Sequence, residues 1–586
     1  MAQLRLALAQ ADFTVGDLPA NSEKVVALTH EAAAKGAHLV VFPEMALTGY
    51  PIEDLALRAS FVAASRNAVE GLAVRLADEG LGDLTVIVGY LGQHDDQRAE
   101  LGRPKGAPHN SAAVLHGGRV VTSYAKHHLP NYGVFDEFRY FVPGDTMQVV
   151  RVHGIDIALC ICEDLWRDGP VTTARSANAG LLVVINGSPY ERNKDDVRLE
   201  LCAKGAAEAG CPLAYVNLVG GQDELVFDGD SIVVSPQGDV LARAPQFDET
   251  LLLADLALEA ADPQASVAPE SDYSGLRVEG TVVSREPVPA YDAMESTVAE
   301  RLDDSAEIYQ ALVVGLRDYV RKNGFRSVLM GLSGGIDSSL TAVVACEAIG
   351  AENVYGVSNP SDYSSQHSKD DAAELARRTG LNFEAVPIAP IVEQFHKAVS
   401  LDGIAAENLQ ARIRAVIWMG LSNQHGHLVL ACGNKSELAV GYSTIYGDAV
   451  GGFAPLKDLL KTQVWELARW RNAEAVGRGE TPPIPQGVID KPPSAELSPG
   501  QLDSDTLPDY GLLDDVLDDY IEHDRGSAEL VQDGFDRELV ERVLRMVDRA
   551  EYKRRQYPPG PKISIRNFGR DRRLPVTNAW REIAEG

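Results

Sequence analysis

The chain has 586 residues, of which 45% are apolar, so it can form roughly two to four domains of about 150 residues each. Its 85 Asp and Glu outnumber its 54 Lys and Arg, and the net charge of −31 argues against a nucleic-acid partner, which needs a basic face. Six Cys without paired CxxC spacing argue against a disulfide scaffold or a structural zinc site. We see no apolar run long enough for a membrane span and no secretory signal pattern, so we expect a cytoplasmic protein.

Short apolar strands alternate with helices through the first half. We predict a strand over 4–10, a helix over 21–35 that Gly36 ends, and a strand over 37–42. Further strands are predicted over 84–90, 111–116, 155–162, 180–186, 213–219 and 231–235. Several of these runs are apolar throughout, which is typical of strands covered on both faces. The pattern predicts one α/β domain over residues 1–257.

The composition changes between residues 258 and 296, where Pro, Ser, Ala and acidic residues dominate, and we predict a linker or wrapping segment. A second domain is predicted over 297–586. It should contain a helix over 305–323, a strand over 327–332, a helix from Ser338, and strands over 354–358, 383–388 and 428–431. This order indicates a doubly wound parallel sheet, whose ligands bind beyond the carboxyl ends of the strands.

Three reactive residues follow strands or lie in loops of the first domain. Glu44 follows Phe42-Pro43, Lys126 follows Tyr124-Ala125, and Cys162 closes an apolar strand. A thiol becomes a nucleophile when a base takes its proton, and a lysine can stabilise the oxyanion formed during amide hydrolysis. Taken singly, each residue also fits a structural role, as a capping carboxylate, a solvated lysine or a core thiol.

In this chain order the three residues resemble the Glu-Lys-Cys set of the nitrilase superfamily. The resemblance implies a four-layer α-β-β-α sandwich in which Glu44 is the base, Lys126 stabilises the oxyanion and Cys162 is the nucleophile. It also implies that Glu137 is a supporting glutamate. Cys160 competes with Cys162, because strand alternation would place both on one face, but the family's cysteine directly precedes a polar pair.

The nitrilase signature leaves the amide substrate open. Four residues resemble the glutamine-binding positions of the amidotransferase members, and they are Tyr132, Glu163, Ser188 and Arg192. Arg192 or Glu163 could pair with the α-carboxylate or the α-amine of glutamine.

A Gly-rich turn follows the first strand of the second domain. Its candidate ATP-binding residues are Ser333, Gly334, Gly335, Asp337, Ser338 and Ser339. Glycine lets backbone N–H groups approach phosphate, and a helix N-terminus adds donors. The Walker A pattern is absent, and the spacing alone also fits an ordinary turn. The run SGGxDSS, however, resembles the pyrophosphate loop of the ATP pyrophosphatase family, which implies that ATP yields an adenylate and that Asp337 binds Mg²⁺.

Three further segments resemble NAD synthetases: 407–414, 433–437 together with the 440–464 run that follows it, and 558–578. The resemblance implies that Glu437 joins Asp337 on Mg²⁺ and that Arg412 and Lys461 contact ATP. The residues implied for binding deamido-NAD are Asn408, Asn434, Glu437, Asp448 and Lys562. The sequence departs from many ammonia-dependent members, which have Lys where this chain has Ile445 and tend to have Thr where it has Cys432.

The fusion of the two domains resembles the glutamine-dependent NAD synthetases over nearly the full length. The implied reaction uses ATP to adenylate the nicotinate carboxylate of deamido-NAD, and ammonia from glutamine then displaces AMP. The resemblance further implies a homo-oligomer built on a dimer through the synthetase domain, and we expect a closed passage for ammonia, which would otherwise be protonated. Two alternatives are another adenylating, glutamine-dependent amidotransferase, and a regulatory protein with one degenerate domain.

Overall fold

The computed structural model describes residues 2–94, 102–267, 276–580 and 582. The chain divides into two compact units, of which the first comprises residues 1–222 and 226–302 and the second comprises 223–225 and 303–586. The segment 258–296, predicted as a linker or wrapping segment, is part of the first unit. Its residues 268–275 lie outside the described part of the chain.

Up to residue 302, the described part of the chain combines strands with four helices. The strands are β1 (Ala2–Gln10), β2 (Leu39–Val41), β3 (Thr85–Gln93), β4 (Pro108–His116), β5 (Arg119–Ala125), β6 (Thr146–Val152), β7 (Ile155–Ile161), β8 (Leu181–Asn186), β9 (Leu213–Asn217), β10 (Val219–Gln222), β11 (Leu225–Asp228), β12 (Ile232–Val234), β13 (Val240–Arg243), β14 (Thr250–Leu258) and β15 (Arg277–Val282). The helices are α1 (Leu18–Ala34), α2 (Ala59–Asp78), α3 (Pro170–Ser176) and α4 (Lys194–Ala209). Helix α1 begins earlier than predicted because Asp17 caps it by accepting from the Ala20 N–H, at 3.2 Å.

Two sheets face each other in the first unit. One has the order β14-β1-β2-β3-β4-β5 and the other β13-β12-β9-β8-β7-β6-β15. Buried side chains such as Leu6, Leu159 and Val216 form the core between them. Helices α1 and α2 lie on the first sheet, and α3 and α4 pack on the second. The predicted four-layer α-β-β-α sandwich is confirmed.

The segment before residue 296 contributes a strand to this sandwich. Strand β15 pairs in parallel with β6, in a register that places Arg277 opposite Thr146 and Val282 opposite Arg151. Val278 is buried in the core beneath α3 and α4. This strand was not predicted, because its sequence lies between stretches rich in Pro and acidic residues that are typical of a linker.

The second unit has a four-stranded parallel sheet with the order β18-β17-β16-β19. Its strands are β16 (Val328–Gly331), β17 (Val354–Ser358), β18 (Asn382–Ala385) and β19 (Leu428–Leu430). The described helices are α5 (Asp304–Lys322), α6 (Ile336–Ile349), α7 (Gln366–Thr379), α8 (Ala389–Ala398), α9 (Gly403–His425), α10 (Lys435–Val440), α11 (Lys461–Gly477), α12 (Gln486–Asp490), α13 (Tyr510–Leu517), α14 (Ser527–Gln532), α15 (Arg537–Arg549) and α16 (Glu551–Arg554).

The strand order of this sheet reverses between β16 and β19, which are neighbours in the sheet although four helices, α6 to α9, and two strands, β17 and β18, lie between them in the chain. Ligands of doubly wound sheets bind at such a switch point, beyond the carboxyl ends of the strands. The predicted doubly wound fold of the second domain is confirmed. Among the described residues, no helix has both the length and the apolar character needed to cross a bilayer.

Replacing Arg198 should destabilise the first unit. Its guanidinium is fully buried and binds both oxygens of Asp228, at 2.8 and 3.0 Å, which ties α4 to β11. Arg198→Ala leaves a buried carboxylate unpaired and is expected to cost about 3–5 kcal/mol in the free energy of unfolding. Arg277→Ala is the control, because its pair with Asp145 is exposed and should contribute below about 1 kcal/mol. Equal losses in urea denaturation would contradict this assignment.

Candidate active sites

The reactive residues of the first unit meet between its two sheets. Glu44 and Lys126 follow β2 and β5 of one sheet, and Cys162 follows β7 of the other. Their exposed fractions are 0%, 1% and 4%. The Lys126 Nζ lies 2.8 Å from Glu44 Oε1 and 2.9 Å from Glu137 Oε2. The fold therefore brings together the four residues predicted for catalysis.

Neutral groups hold the two carboxylates in place. Asn110 Nδ2 donates to Glu44 Oε1 at 2.6 Å, and the Gly187 N–H donates to Glu44 Oε2 at 2.7 Å. The Tyr50 hydroxyl donates to Glu137 Oε1 at 3.0 Å, and Asn110 reaches the same oxygen at 3.5 Å. Both oxygens of Glu44 are thus engaged, which fixes the orientation of this carboxylate.

The charges in this cluster set the protonation states of its members. Burial lowers the pKa of Lys126, but the charges of Glu137 and Glu44 outweigh burial and hold that pKa well above its usual value. Burial raises the pKa of Glu137 to about 7, against the opposing charge of Lys126. Burial and the charge of Glu44 hold the pKa of Cys162 well above its usual value, while Lys126 lowers it. Cys162 therefore rests as a thiol and would need a base to become a nucleophile, whereas Lys126 beside it stays an ammonium.

Cys162 occupies a sharp turn at the end of its strand. Strand β7 ends at Ile161, and Cys162 begins a 3₁₀ turn with a φ of +48°, a left-handed value that is unusual for a residue other than glycine. Cys162 faces the core between the sheets, whereas Cys160 packs in the core beneath α3 and α4. The expectation that both cysteines share one face is wrong, because alternation stops where the strand ends.

The structure brings together part of the predicted glutamine-binding set. Glu163 is buried and accepts from the Tyr132 hydroxyl at 2.8 Å and from Arg167 Nε at 2.9 Å. Ser188 is buried beside Gly187, whose N–H binds Glu44. Arg192 is half-buried before α4, and its side chain makes no hydrogen bond or ion pair with the residues that the structure describes.

Sequence reasoning missed several residues that support this site. Asn217, at the end of β9, accepts from the Ser188 N–H at 2.9 Å and donates to the Ser188 carbonyl at 3.2 Å. Asn110 and Tyr50 hold the two glutamates. An asparagine within a strand and a tyrosine before a proline carry no local signal of this role, because their partners are distant in the chain.

The Gly-rich turn of the second unit connects β16 to α6. Gly334 has a φ of +78°, and a Cβ there would lie 2.2 Å from the carbonyl oxygen of Ser368, so this position requires glycine. Ser333 Oγ accepts from the Gly335 N–H at 3.2 Å and lies 3.1 Å from Ser338 Oγ. The buried side chains in the first turn of α6 include Ser338 and Ser339. The turn and the helix N-terminus offer the donors that phosphate needs.

Four predicted residues of the second unit form one polar cluster at the switch point. Lys461 Nζ lies 2.5 Å from Asp337 Oδ2 and 3.2 Å from Glu437 Oε1. Asn434 donates to Asp337 Oδ1 at 2.8 Å and accepts from the Glu437 N–H at 3.0 Å, which caps α10. Burial raises the pKa of Glu437 to about 8, with Lys461 opposing and Asp337 adding to this shift. The carboxylates of Asp337 and Glu437 thus both face the ammonium of Lys461.

A second group of predicted residues surrounds the loop after α10. Asn408 Oδ1 accepts from the Thr444 hydroxyl at 2.8 Å, and Asp448 Oδ1 accepts from the Thr444 N–H at 2.9 Å. Arg412 Nε donates to the carbonyl of Ile445 at 3.2 Å. Asn408 and Arg412 of α9 therefore lie at the same loop as Asp448.

Two lysines near the chain's end differ in their surroundings. Lys562, predicted to bind deamido-NAD, is buried, and its Nζ donates to the carbonyls of Ser564 and Ile565 at 2.6 and 3.2 Å. These contacts do not join it to the other predicted residues. Lys491, which follows α12, was not predicted as a site residue; it donates to the carbonyl of Gly334 at 3.0 Å and so lies at the Gly-rich turn.

A third carboxylate of the second unit was also missed. Asp503 accepts from the Tyr510 hydroxyl at 3.0 Å and from the Tyr442 hydroxyl at 3.3 Å. Its charge acts on the pKa of both Lys461 and Glu437. Asp503 lies in an acidic, turn-rich stretch, where the sequence does not distinguish it from solvated neighbours.

The two sites define a nitrilase-type amidohydrolase joined to an ATP pyrophosphatase-type unit. The family model for carbon-nitrogen hydrolases matches residues 5–265, and the NAD synthase model matches residues 308–557. These two matches together span most of the chain.

Relatives with both parts match over nearly the full length. The glutamine-dependent NAD(+) synthetase of Acinetobacter baylyi is 42% identical over 99% of each chain, and that of Aquifex aeolicus is 43% identical over 98% of this chain and 100% of the relative. The structure of the glutamine-dependent NAD+ synthetase from Acinetobacter baumannii in complex with adenosine diphosphate has a TM-score of 0.72 at 40% identity, covering 99% of each chain. The chain belongs to the glutamine-dependent NAD(+) synthetases, which are ligases with glutamine as the amide donor.

Replacing Tyr50 should shift the pH dependence of glutamine hydrolysis. The rate is expected to fall as the pH drops through about 7, because protonated Glu137 no longer offers Lys126 a charged partner. The Tyr50 hydroxyl stabilises the carboxylate, so Tyr50→Phe should raise the pKa of Glu137 and move this fall to higher pH. Tyr90→Phe is the control, because the Tyr90 hydroxyl pairs with Ser123 and not with a carboxylate. A fall at unchanged or lower pH would contradict the assignment.

Proposed function

We propose that the two units divide the reaction, with a glutaminase domain over residues 1–257, which the segment 258–296 wraps, and a synthetase domain over residues 297–586. One observation carries the proposal. Each unit has its own reactive cluster, with a buried thiol beside Glu44 and Lys126 in the first and two half-buried carboxylates around Lys461 in the second. A thiol suits amide hydrolysis, whereas paired carboxylates beside a Gly-rich turn suit the handling of ATP.

Glutamine hydrolysis begins with proton transfer from Cys162. Glu44 takes the thiol proton, the sulfur attacks the side-chain amide carbon, and the Lys126 ammonium stabilises the oxyanion that forms. The same proton passes from Glu44 to the departing nitrogen, which releases ammonia and leaves a thioester. Water, deprotonated by Glu44, then cleaves the thioester to glutamate and restores the thiol. Glu137 keeps Lys126 charged and in place throughout.

Separate residues bind the two ends of glutamine, its α-amino acid end and its side-chain amide, beside Cys162. The Glu163 carboxylate, oriented by Tyr132 and Arg167, accepts from the α-ammonium of glutamine. Arg192, which has no partner among the described residues, pairs with the α-carboxylate. Ser188 lies beside the Gly187 N–H that binds Glu44, so it contacts the part of glutamine nearest the reacting amide.

The second unit binds ATP through the Gly-rich turn and adenylates the nicotinate carboxylate. Backbone donors of the turn and the start of α6 hold the phosphates, and Lys461 and Arg412 add positive charge. The carboxylates of Asp337 and Glu437 both face the Lys461 ammonium, so they lie close together. As paired oxygen donors they would fit Mg²⁺, which would neutralise the phosphate charge of ATP when bound. The carboxylate attacks the α-phosphorus, and pyrophosphate leaves.

Deamido-NAD binds around the switch point and the loop after α10. Asn434 adjoins the acidic pair, and Asn408 and Asp448 surround Thr444, so polar groups of three elements are available for the nicotinate and ribose ends. Lys562 acts by holding the 562–565 turn through its carbonyl contacts. Ammonia attacks the adenylated carboxylate and AMP leaves, giving NAD. A closed route for ammonia stays a prediction.

Two variants separate the two halves of the reaction. Cys162→Ala should abolish NAD formation from glutamine but preserve it with ammonium, because the second unit needs only a nitrogen nucleophile. Asp337→Ala should stop synthesis with either donor while glutamine hydrolysis continues. The measurements are NAD, AMP and glutamate formed from deamido-NAD, ATP and Mg²⁺ with either glutamine or ammonium as the nitrogen donor. Loss of the ammonium reaction in Cys162→Ala would refute the division of labour, and full synthesis in Asp337→Ala would remove this residue from the ATP site.

A homo-oligomer formed through the second unit is part of the proposal. Helix α9 buries Leu409 and Ile413, but it exposes Ile404 and Val416 by 75% and 72%, and Met419 is also exposed. Large apolar side chains that are this exposed on one helix are typical of an interface. We therefore place the contact between copies at α9. We further propose the cytoplasm as the compartment of the enzyme.

A charge on this helix should disrupt the oligomer. Val416→Asp places a carboxylate in the proposed apolar contact, so the species measured by multi-angle light scattering should shift towards the monomer. Val476→Asp is the matched control, since Val476 is a single exposed valine on α11 of the same unit. An unchanged mass for Val416→Asp, or the same shift in both variants, would move the interface away from α9.

A further inference from the structure

The carboxylate of Asp164 is fully buried and surrounded by donors. Its Oδ2 accepts from the Tyr124 hydroxyl at 2.7 Å and from the Ile161 N–H at 3.0 Å. Its Oδ1 accepts from the N–H groups of His128 and His127, at 2.8 and 3.2 Å. Four donors fill the acceptor capacity of one carboxylate. The protein itself therefore occupies every acceptor position of this carboxylate, and none is left to bind a substrate.

These four contacts connect the segments that carry two reactive residues. His127 and His128 come directly after Lys126, at the end of β5 in the first sheet. Ile161 comes directly before Cys162, at the end of β7 in the second sheet. Asp164 itself belongs to the 3₁₀ turn that Cys162 begins. The Asp164 carboxylate therefore binds the backbone directly after Lys126 and directly before Cys162.

We infer that Asp164 is a positioning residue for glutamine hydrolysis, which sets the distance between the Lys126 ammonium and the Cys162 sulfur by clamping the ends of two strands from opposite sheets. The inference rests on the proposed roles of Lys126 and Cys162. Asp164 touches neither side chain in the contacts described above, so it acts through the backbone. It also holds the turn in which Cys162 keeps a φ of +48°.

The backbone geometry explains why a clamp is needed at this place. A left-handed φ costs energy for a residue with a Cβ, and it persists only when surrounding contacts impose it. The Asp164 bond to the Ile161 N–H closes the turn around Cys162. Without that bond, Cys162 can relax towards extended backbone, which would turn its sulfur away from Lys126.

Asp164→Asn tests the clamp, because an amide has the shape of the carboxylate but one oxygen fewer to accept. Since a displacement of about 1 Å can cost 100-fold in rate, kcat for glutamine should fall about 100-fold while KM changes little. Synthesis of NAD from ammonium should stay unchanged. Iodoacetamide labelling of Cys162 should reach its half-maximal rate at higher pH, because the nearby Lys126 charge lowers the pKa of this thiol. Cys162→Ala supplies the labelling background.

Asp156→Asn is the matched control. Asp156 is a buried aspartate at the other end of β7, and it pairs with Arg151 at 2.7 Å. Its loss should lower the melting temperature without changing kcat for glutamine or the labelling profile. If both aspartate variants lose kcat equally, Asp164 has only a general structural role and the inference fails.

A milder variant covers the case in which Asp164→Asn does not fold. Tyr124→Phe removes one of the four donors and leaves the three backbone N–H contacts, so it should lower kcat for glutamine several-fold and shift the labelling profile in the same direction. Unchanged kcat and labelling in this variant, or kcat within twofold of the parent enzyme in Asp164→Asn, would overturn the inference. If Cys162→Ala still used glutamine, the proposed function itself would fail instead.

Discussion

A lysine ammonium buried between two carboxylates determines how the first unit is built. Glu44, Glu137 and Lys126 lie between the sheets without solvent, where an unpaired charge would cost several kcal/mol. Two negative charges against one positive charge leave an imbalance, and the structure relieves it in two ways. Asn110 and Tyr50 donate neutral hydrogen bonds to the carboxylates, and the pKa of Glu137 rises to about 7. The cluster can therefore keep a permanent ammonium beside the Cys162 thiol. An exposed ammonium would not need such support, because water would stabilise its charge.

The second unit solves a related problem with a more open arrangement. Asp337 and Glu437 also share one lysine, Lys461, but both carboxylates keep part of their surface exposed, 19% and 18%. A half-buried acidic pair can exchange partners when a nucleotide arrives, whereas the fully buried pair of the first unit cannot. This difference fits the chemistry, since ATP brings its own charge and its own cation, while glutamine brings a neutral amide. Asp503 adds a third carboxylate whose charge helps to keep Lys461 protonated.

Sequence patterns predicted the parts of this protein that depend on local order. Glu44, Cys162 and the Gly-rich turn at Gly334 lie at the ends of predicted apolar strands, so their positions could be inferred from those strands, whereas β5, which precedes Lys126, was not predicted. The supporting contacts could not be inferred, because the residues that make them lie in different elements. Asn110 of β4 binds Glu44 after β2, and Asp503, in an acidic turn, binds Tyr442 and Tyr510. The strand β15 was missed for a similar reason, since it forms by pairing with β6 and not from a strong pattern of its own. The domain boundaries and the roles of the site residues stay predictions.

Both units place their reactive groups where strands end, and this shared feature has a physical cause. The end of a strand is the point at which the chain leaves a regular hydrogen-bonded ladder, so backbone N–H groups and side chains there are free to face a ligand. In the first unit, the Gly187 N–H after β8 binds Glu44 after β2, which joins the two sheets at the site. In the second unit, Asn434 after β19 binds Asp337 after β16, which joins the two strands of the switch point. Each site is thus fixed by a contact between strand ends, and its geometry depends on the packing of the whole sheet more than on any single loop.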